Sequence, residues 1–264
     1  VMGLYVQCKI IPENRVVKNI QVTELPNDVY PILSDLLAYA KIEYDKEVET
    51  DTRIMCSHII LVLEKMITTY GKIFNGHTSI TDLINAQFVV YDIASLAHLD
   101  SSVYDAQLFS ALSLCWANVV KVGGKSKQMY EDGLIGLDEI THFMLVIDES
   151  HKTINTSKPY AVDQVLVYAR EGRKYFSGIW LASQSVNDFM PDGTNIVGVE
   201  QIKTLFGLSQ YKFIFKQDAA FMDKLIKVFG NNLTETEISQ IPILEKGECV
   251  MSTGAENLIF KVAC

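Results

Sequence analysis

Phe143-Met144-Leu145-Val146-Ile147-Asp148-Glu149 sets five apolar residues directly before two carboxylates. A run this short and continuous reads as a parallel strand covered on both faces, because only half-exposed strands need polar–apolar alternation. The C-terminal ends of such strands are where open α/β sheets bind ligands. An Asp there can hold Mg2+ directly or through water, since this ion prefers oxygen ligands and keeps much of its hydration. A neighbouring Glu can accept a proton from, or orient, a water attacking a terminal phosphate. Asp148 is therefore the candidate metal-associated carboxylate and Glu149 the candidate catalytic, water-activating carboxylate.

Pro159 to Glu171 follows as a helix, with Pro in its first turn and Gly172 just past its end. Ser177 to Ala182 reads as the next strand and runs into Ser183-Gln184. A complete strand–helix–strand unit brings Gln184 to the same sheet edge as Asp148 and Glu149. A neutral amide at that place can sense a terminal phosphate and report its hydrolysis. Arg170, Arg173 and Lys174 cluster around the end of the intervening helix. Two readings apply to them: complementing the helix dipole, or reaching across a subunit boundary as an arginine finger.

Upstream, Phe88 to Ile93 reads as another covered strand, followed by a helix over about Ser102 to Lys121. Downstream, a helix near Glu200 to Phe206 leads to a strand at Tyr211 to Phe215 and a helix at Ala219 to Phe229. Thr234 with Glu237 matches a capping box, and Glu248 to Met251 with Asn257 to Val262 predicts a hairpin around Thr253-Gly254. The N-terminal part reads as an extended segment over 1–27. A helical subdomain over 28–85 follows, with helices at Val29 to Tyr44 and about Thr52 to Phe74. In the second helix Ile59, Val62, Leu63, Met66, Ile67 and Tyr70 form a stripe expected to pack in a core. Residues 86–264 then form an α/β core with a mainly parallel sheet, helices on both faces and a C-terminal hairpin.

The composition suits a globular chain of 264 residues, 48% hydrophobic and 21% charged. A net charge of −9 argues against a uniformly basic, nucleic-acid-coating surface and leaves room for a local basic channel. The five cysteines show no C-x-x-C pair, which predicts a reducing, cytosolic compartment. No uninterrupted run of about 20 apolar residues predicts a membrane span. The first residue is Val1, without a signal-peptide pattern, and the chain reads as a fragment of a longer protein. A phosphate-cradling G-x-x-x-x-G-K-[ST] loop is absent. Gly123-Gly124-Lys125-Ser126 lacks its first glycine, with Val119 in that position, and reads as a coincidental match in a surface loop. The five histidines form no metal-site pattern; His151, nearest the acids, is expected to be solvent-exposed rather than catalytic.

Residues 143–151, 168–175 and 179–184 together resemble the C-terminal motor domain of the large conjugation ATPases of type IV secretion systems, within the HerA–FtsK class. The strand at 88–93 with Asp92 is similar as well. So are Leu205 to Phe213, Leu233 to Glu237 and Gly247-Glu248-Cys249. The likeness runs from about residue 30 onward. It implies a RecA-like P-loop NTPase core that binds ATP with Mg2+, assembles as a hexamer, and drives substrate transfer or pilus assembly with inner-membrane secretion components. Its location would be cytoplasmic, peripheral at the inner face of a bacterial membrane. By match to the family's motifs, Asp148 is the metal-associated acid, Glu149 activates water, and Gln184 senses phosphate. Arg170 or Arg173 is the trans-acting finger, and residues 30 to 75 are the helical insertion. The missing phosphate loop departs from the family. Two other readings stand beside a secretion ATPase: a double-stranded DNA translocase of the same class, and a nonenzymatic assembly scaffold.

Overall fold

The computed structural model describes residues 2–8, 26–77, 86–190, 196–229, 232–254 and 256–262. The chain divides into two compact units, Val1–Leu83 and Ile84–Cys264. Most of the segment 1–27 expected to be extended lies outside the described residues; within it, Met2–Gln7 forms a short helix, α1.

The first unit is built on a helical hairpin of α2 (Leu33–Lys46) and α3 (Thr50–Phe74). Asp35 caps the start of α2 by accepting from the Ile32 N–H at 2.9 Å. Lys41 pairs with Glu64 at 2.7 Å, and Ser34 N–H donates to Asn75 Oδ1 at 2.9 Å, so the hairpin is tied at its middle and at its open end. The expected core stripe of α3 is only partly covered. Leu63 is buried and Met66, Ile67 and Tyr70 half-buried, whereas Ile59 and Val62 are exposed. With Ile54, Met55 and Leu61 also exposed, α3 is apolar around much of its circumference. By length and composition it is one helix among the described residues that could cross a membrane, although Glu64 and Lys65 interrupt its apolar run.

In the second unit, β1 (Phe143–Ile147) and β2 (Ser177–Leu181) pair in parallel, with Phe143 opposite Ser177 and Ile147 opposite Leu181. Their connection is α5 (Pro159–Glu171). Ala161, Val162, Val165, Leu166 and Tyr168 recur at helical spacing and are all buried. The first four pack with Leu108 and Leu112 of α4 (Ser101–Glu131), Ile202 and Leu205 of α6 (Ile196–Leu208), and the inward residues Leu145, Ile147, Ile179 and Leu181 of the sheet. Each fully buried aliphatic side chain there contributes about 1.5–3 kcal/mol by leaving water.

A second sheet has the order β3 (Lys212–Phe215), β4 (Glu248–Ser252), β5 (Asn257–Lys261), antiparallel throughout. Its core gathers Ile214, Val250 and Ile241 with Leu225 and Phe229 of α7 (Met222–Phe229). Phe206 joins the two cores, its ring 5.1 Å from Phe189 and 5.2 Å from Phe229. Thr234 and Glu237 form the expected capping box at α8 (Glu235–Gln240), and the C-terminal hairpin forms as expected.

Three expectations are corrected. Among the described residues the strand pairing is not mainly parallel: one parallel pair stands beside two antiparallel ones. Helices do not cover both faces of β1–β2, because Met144, Val146 and Trp180 on the outer face are 60–62% exposed. Among the described residues the segment 88–93 forms no strand, since no other strand's backbone forms a ladder with it and Phe88 and Val90 stand exposed. Hydrophobicity alone cannot create a ladder; a strand exists only where another backbone supplies its hydrogen bonds.

The Gly123-Gly124-Lys125-Ser126 match also sits differently from its expected surface loop. It lies inside α4, which runs ten residues beyond the expected end at Lys121. A Cβ at Gly123 would stand 2.5 Å from the Tyr175 carbonyl oxygen, so only glycine lets the helix pass this close to the turn before β2.

Candidate functional site

The parallel register brings Asp148-Glu149 and Ser183-Gln184 out at the same C-terminal edge of the β1–β2 sheet. Ala182 N–H donates to Ile147 O at 3.0 Å, extending the pairing one step past the strands. The chain then turns sharply. Glu149 has φ 46° and ψ 44°, a left-handed conformation that its Cβ disfavours. Ser150 holds the turn: it is fully buried, and its N–H and its hydroxyl both donate to Ala182 O at 2.8 Å. Such backbone strain persists only where the surroundings over-determine it, as at functional sites.

The turn sets the two acids in different surroundings. Asp148 is exposed, and its Oδ1 accepts from Glu149 N–H at 2.9 Å, leaving its other oxygen toward solvent. Glu149 is half-buried, and the Gln184 side-chain amide donates to its Oε1. Glu149 Oε2 is buried without a hydrogen-bond partner, while His151 Nδ1 lies 3.4 Å from it. The same His151 nitrogen lies 2.9 Å from Ser183 Oγ. His151 is thus not the solvent-facing residue expected: its side chain is 20% exposed and sits between Glu149 and Ser183.

The loop carrying Ser183 and Gln184 is held from a distance. Gln217, just past β3, accepts from Val186 N–H at 3.3 Å and donates to Gln184 O at 3.2 Å. Lys224 of α7 donates to Asn187 Oδ1 at 2.6 Å and Met190 O at 2.9 Å. Ser150 and Ser183 are legible only as neighbours of Glu149 and Gln184, and no local signal marks Gln217, a glutamine 33 positions from its partner.

Arg170 and Arg173 are not brought to this edge. Both are exposed and lie where α5 ends, beside the start of β2. The five residues of β2 separate that end from the acids by about 16 Å at about 3.3 Å per residue.

Among the described residues no group of three or more His, Cys, Asp or Glu side chains could cage a metal ion. The exposed Asp148 carboxylate has the oxygen-donor chemistry that Mg2+ accepts when it keeps most of its waters.

No family model matches the chain. An uncharacterized protein of Bacillus anthracis is 34% identical over 262 residues, covering 98% of this chain and 41% of that protein. The structure of VirB4 of Thermoanaerobacter pseudethanolicus aligns with a TM-score of 0.68 at 20% identity, covering 97% of this chain and 61% of that one. The chain therefore spans less than two thirds of the length of either. At such identity the structural match speaks for the fold alone, and in fold the chain is VirB4-like.

Proposed function

We propose that this chain supplies the acidic half of the ATP site of a conjugation or type IV secretion ATPase, coupling hydrolysis to substrate transfer or pilus assembly. The observation that carries the reading is the Glu149–Gln184 hydrogen bond across the ends of two parallel strands, beside the exposed Asp148. In this reading Asp148 helps to hold Mg2+ bound with ATP. The ion neutralises charge on the phosphates. Glu149 orients the attacking water, and Gln184 registers the state of the terminal phosphate through its bond to Glu149.

The phosphate-cradling loop would come from outside the 264 residues, in keeping with relatives of greater length. Arg170 or Arg173 would act on a neighbouring subunit in a hexamer. Their exposure and their distance from the chain's own acids support action in trans rather than in cis. The assembly would work as a peripheral protein at the inner face of a bacterial membrane, with secretion-channel components as partners.

The test is steady-state hydrolysis by the full-length protein carrying Glu149→Gln. Phosphate release is expected to fall by about 100-fold or more, the size of a general-base contribution. Nucleotide binding, read by a fluorescent ATP analogue, should persist. Normal turnover in the variant would remove Glu149 from this role.

A further inference from the structure

We propose that Gln217 is a positioning residue that sets the Gln184 amide over Glu149, making the second sheet the support on which the Glu149 contacts depend. The inference rests on the nucleotide-site reading of Asp148, Glu149 and Gln184.

The geometry resembles sheet pairing carried out by a side chain. Along an extended segment the C=O of one residue and the N–H of the residue two further on point to the same side. Gln217 meets that pair at Gln184 and Val186: its Nε2 donates to Gln184 O at 3.2 Å, and its Oε1 accepts from Val186 N–H at 3.3 Å. Nε2 also donates to Lys216 O at 3.1 Å, which fixes the side chain against its own backbone at the end of β3. The amide thus takes the place of the N–H and C=O of one residue on an adjacent strand, just where β2 has ended and the loop has no ladder of its own.

Two contacts of this loop reach Glu149 and His151, which also meet each other. Gln184 reaches Glu149 Oε1, Ser183 Oγ meets His151, and His151 lies beside Glu149 Oε2. A primary amide is required, because one group must donate and the other accept. Carboxylate at this position keeps the acceptor for Val186 and loses the donor for Gln184. Alanine loses both. Through β3 the same side chain links the site to the sheet that carries α7, whose Lys224 holds the far end of the loop.

Two measurements test this. In the full-length protein, Gln217→Ala and the near-isosteric Gln217→Glu are expected to lower kcat about 10–100-fold, as misplacement of a reacting group does, with KM for ATP changed less than about twofold. In a Gln184→Ala background, Gln217→Ala should add little further loss, because the two residues act as one unit. Losses that multiply in the double variant would overturn the positioning role. Hydrogen exchange at Val186 in nucleotide-free protein provides the second measurement. Gln217→Ala should speed it at least about tenfold, as expected when a local protecting bond is lost, and Gln217→Glu should preserve most of the protection. Unchanged exchange in Gln217→Ala would refute the contact itself. If the wild type hydrolyses no ATP, the nucleotide reading fails, while Val186 exchange still decides whether Gln217 holds the loop.

Discussion

Glu149 joins chemistry and strain in one residue. Its left-handed backbone costs about 1–2 kcal/mol for a side chain with a Cβ, and the buried Ser150 pins it across to Ala182. Glycine at this position relieves the strain but adds freedom to the unfolded chain, and these effects partly offset each other. Glu149→Gly is therefore expected to leave stability unchanged or raise it by up to about 1 kcal/mol in urea denaturation. Loss of more than that amount would mean that the side-chain contacts, not the turn, dominate the position. The carboxylate at a strand end was legible from residue order alone. Its left-handed turn was not, because glutamate carries no local preference for that conformation.

Among the elements, α4 shows best how tertiary contact overrides propensity. Two consecutive glycines suggest a helix end, yet the helix continues to Glu131. The two glycines differ in what surrounds them. A Cβ at Gly123 meets the Tyr175 backbone at 2.5 Å, whereas one at Gly124 has nothing closer than 3.9 Å, at the Tyr175 ring. Gly123→Ala is expected to destabilise by about 1–3 kcal/mol through overpacking. Gly124→Ala should stabilise by about 0.5–1 kcal/mol, since alanine loses less entropy in a helix. Thermal or urea unfolding of the two variants checks both signs, and equal effects would reject the close approach. By contrast, α5 was legible to the residue, because Pro159, the buried stripe and Gly172 are local signals that agree.

At the scale of the whole molecule, Glu237 ties the cap of α8 to the C-terminal hairpin. Its Oε2 accepts from Thr234 N–H at 2.7 Å and from Asn257 Nδ2 at 2.9 Å. The Thr234 backbone bond chiefly, with smaller help from the Thr234 and Asn257 side chains, holds the Glu237 carboxyl below its usual value. A carboxylate whose folded pKa is depressed binds protons more readily when unfolded. Its stabilisation is therefore present above the ordinary carboxylate pKa of about 4.5 and fades as pH falls through the folded value. Glu237→Gln should flatten the acid limb of a stability–pH curve in that range. An unaltered limb would show that the contacts do not favour the charged form.

The local order of apolar, capping and turn residues was enough to set β1, α5, β2, the capping box and the hairpin, and to draw Asp148, Glu149 and Gln184 to one sheet edge. Period, caps and crossover handedness act over a few residues or one strand–helix–strand unit, so a sequence carries them openly. Only the tertiary structure decided that 88–93 lacks a strand partner, that the outer face of β1–β2 is exposed, that Gly123 admits the Tyr175 turn, and that Gln217 holds the Gln184 loop. Each of these depends on which distant backbone comes within about 3 Å, the length of a hydrogen bond, and no local pattern of residues specifies that distance.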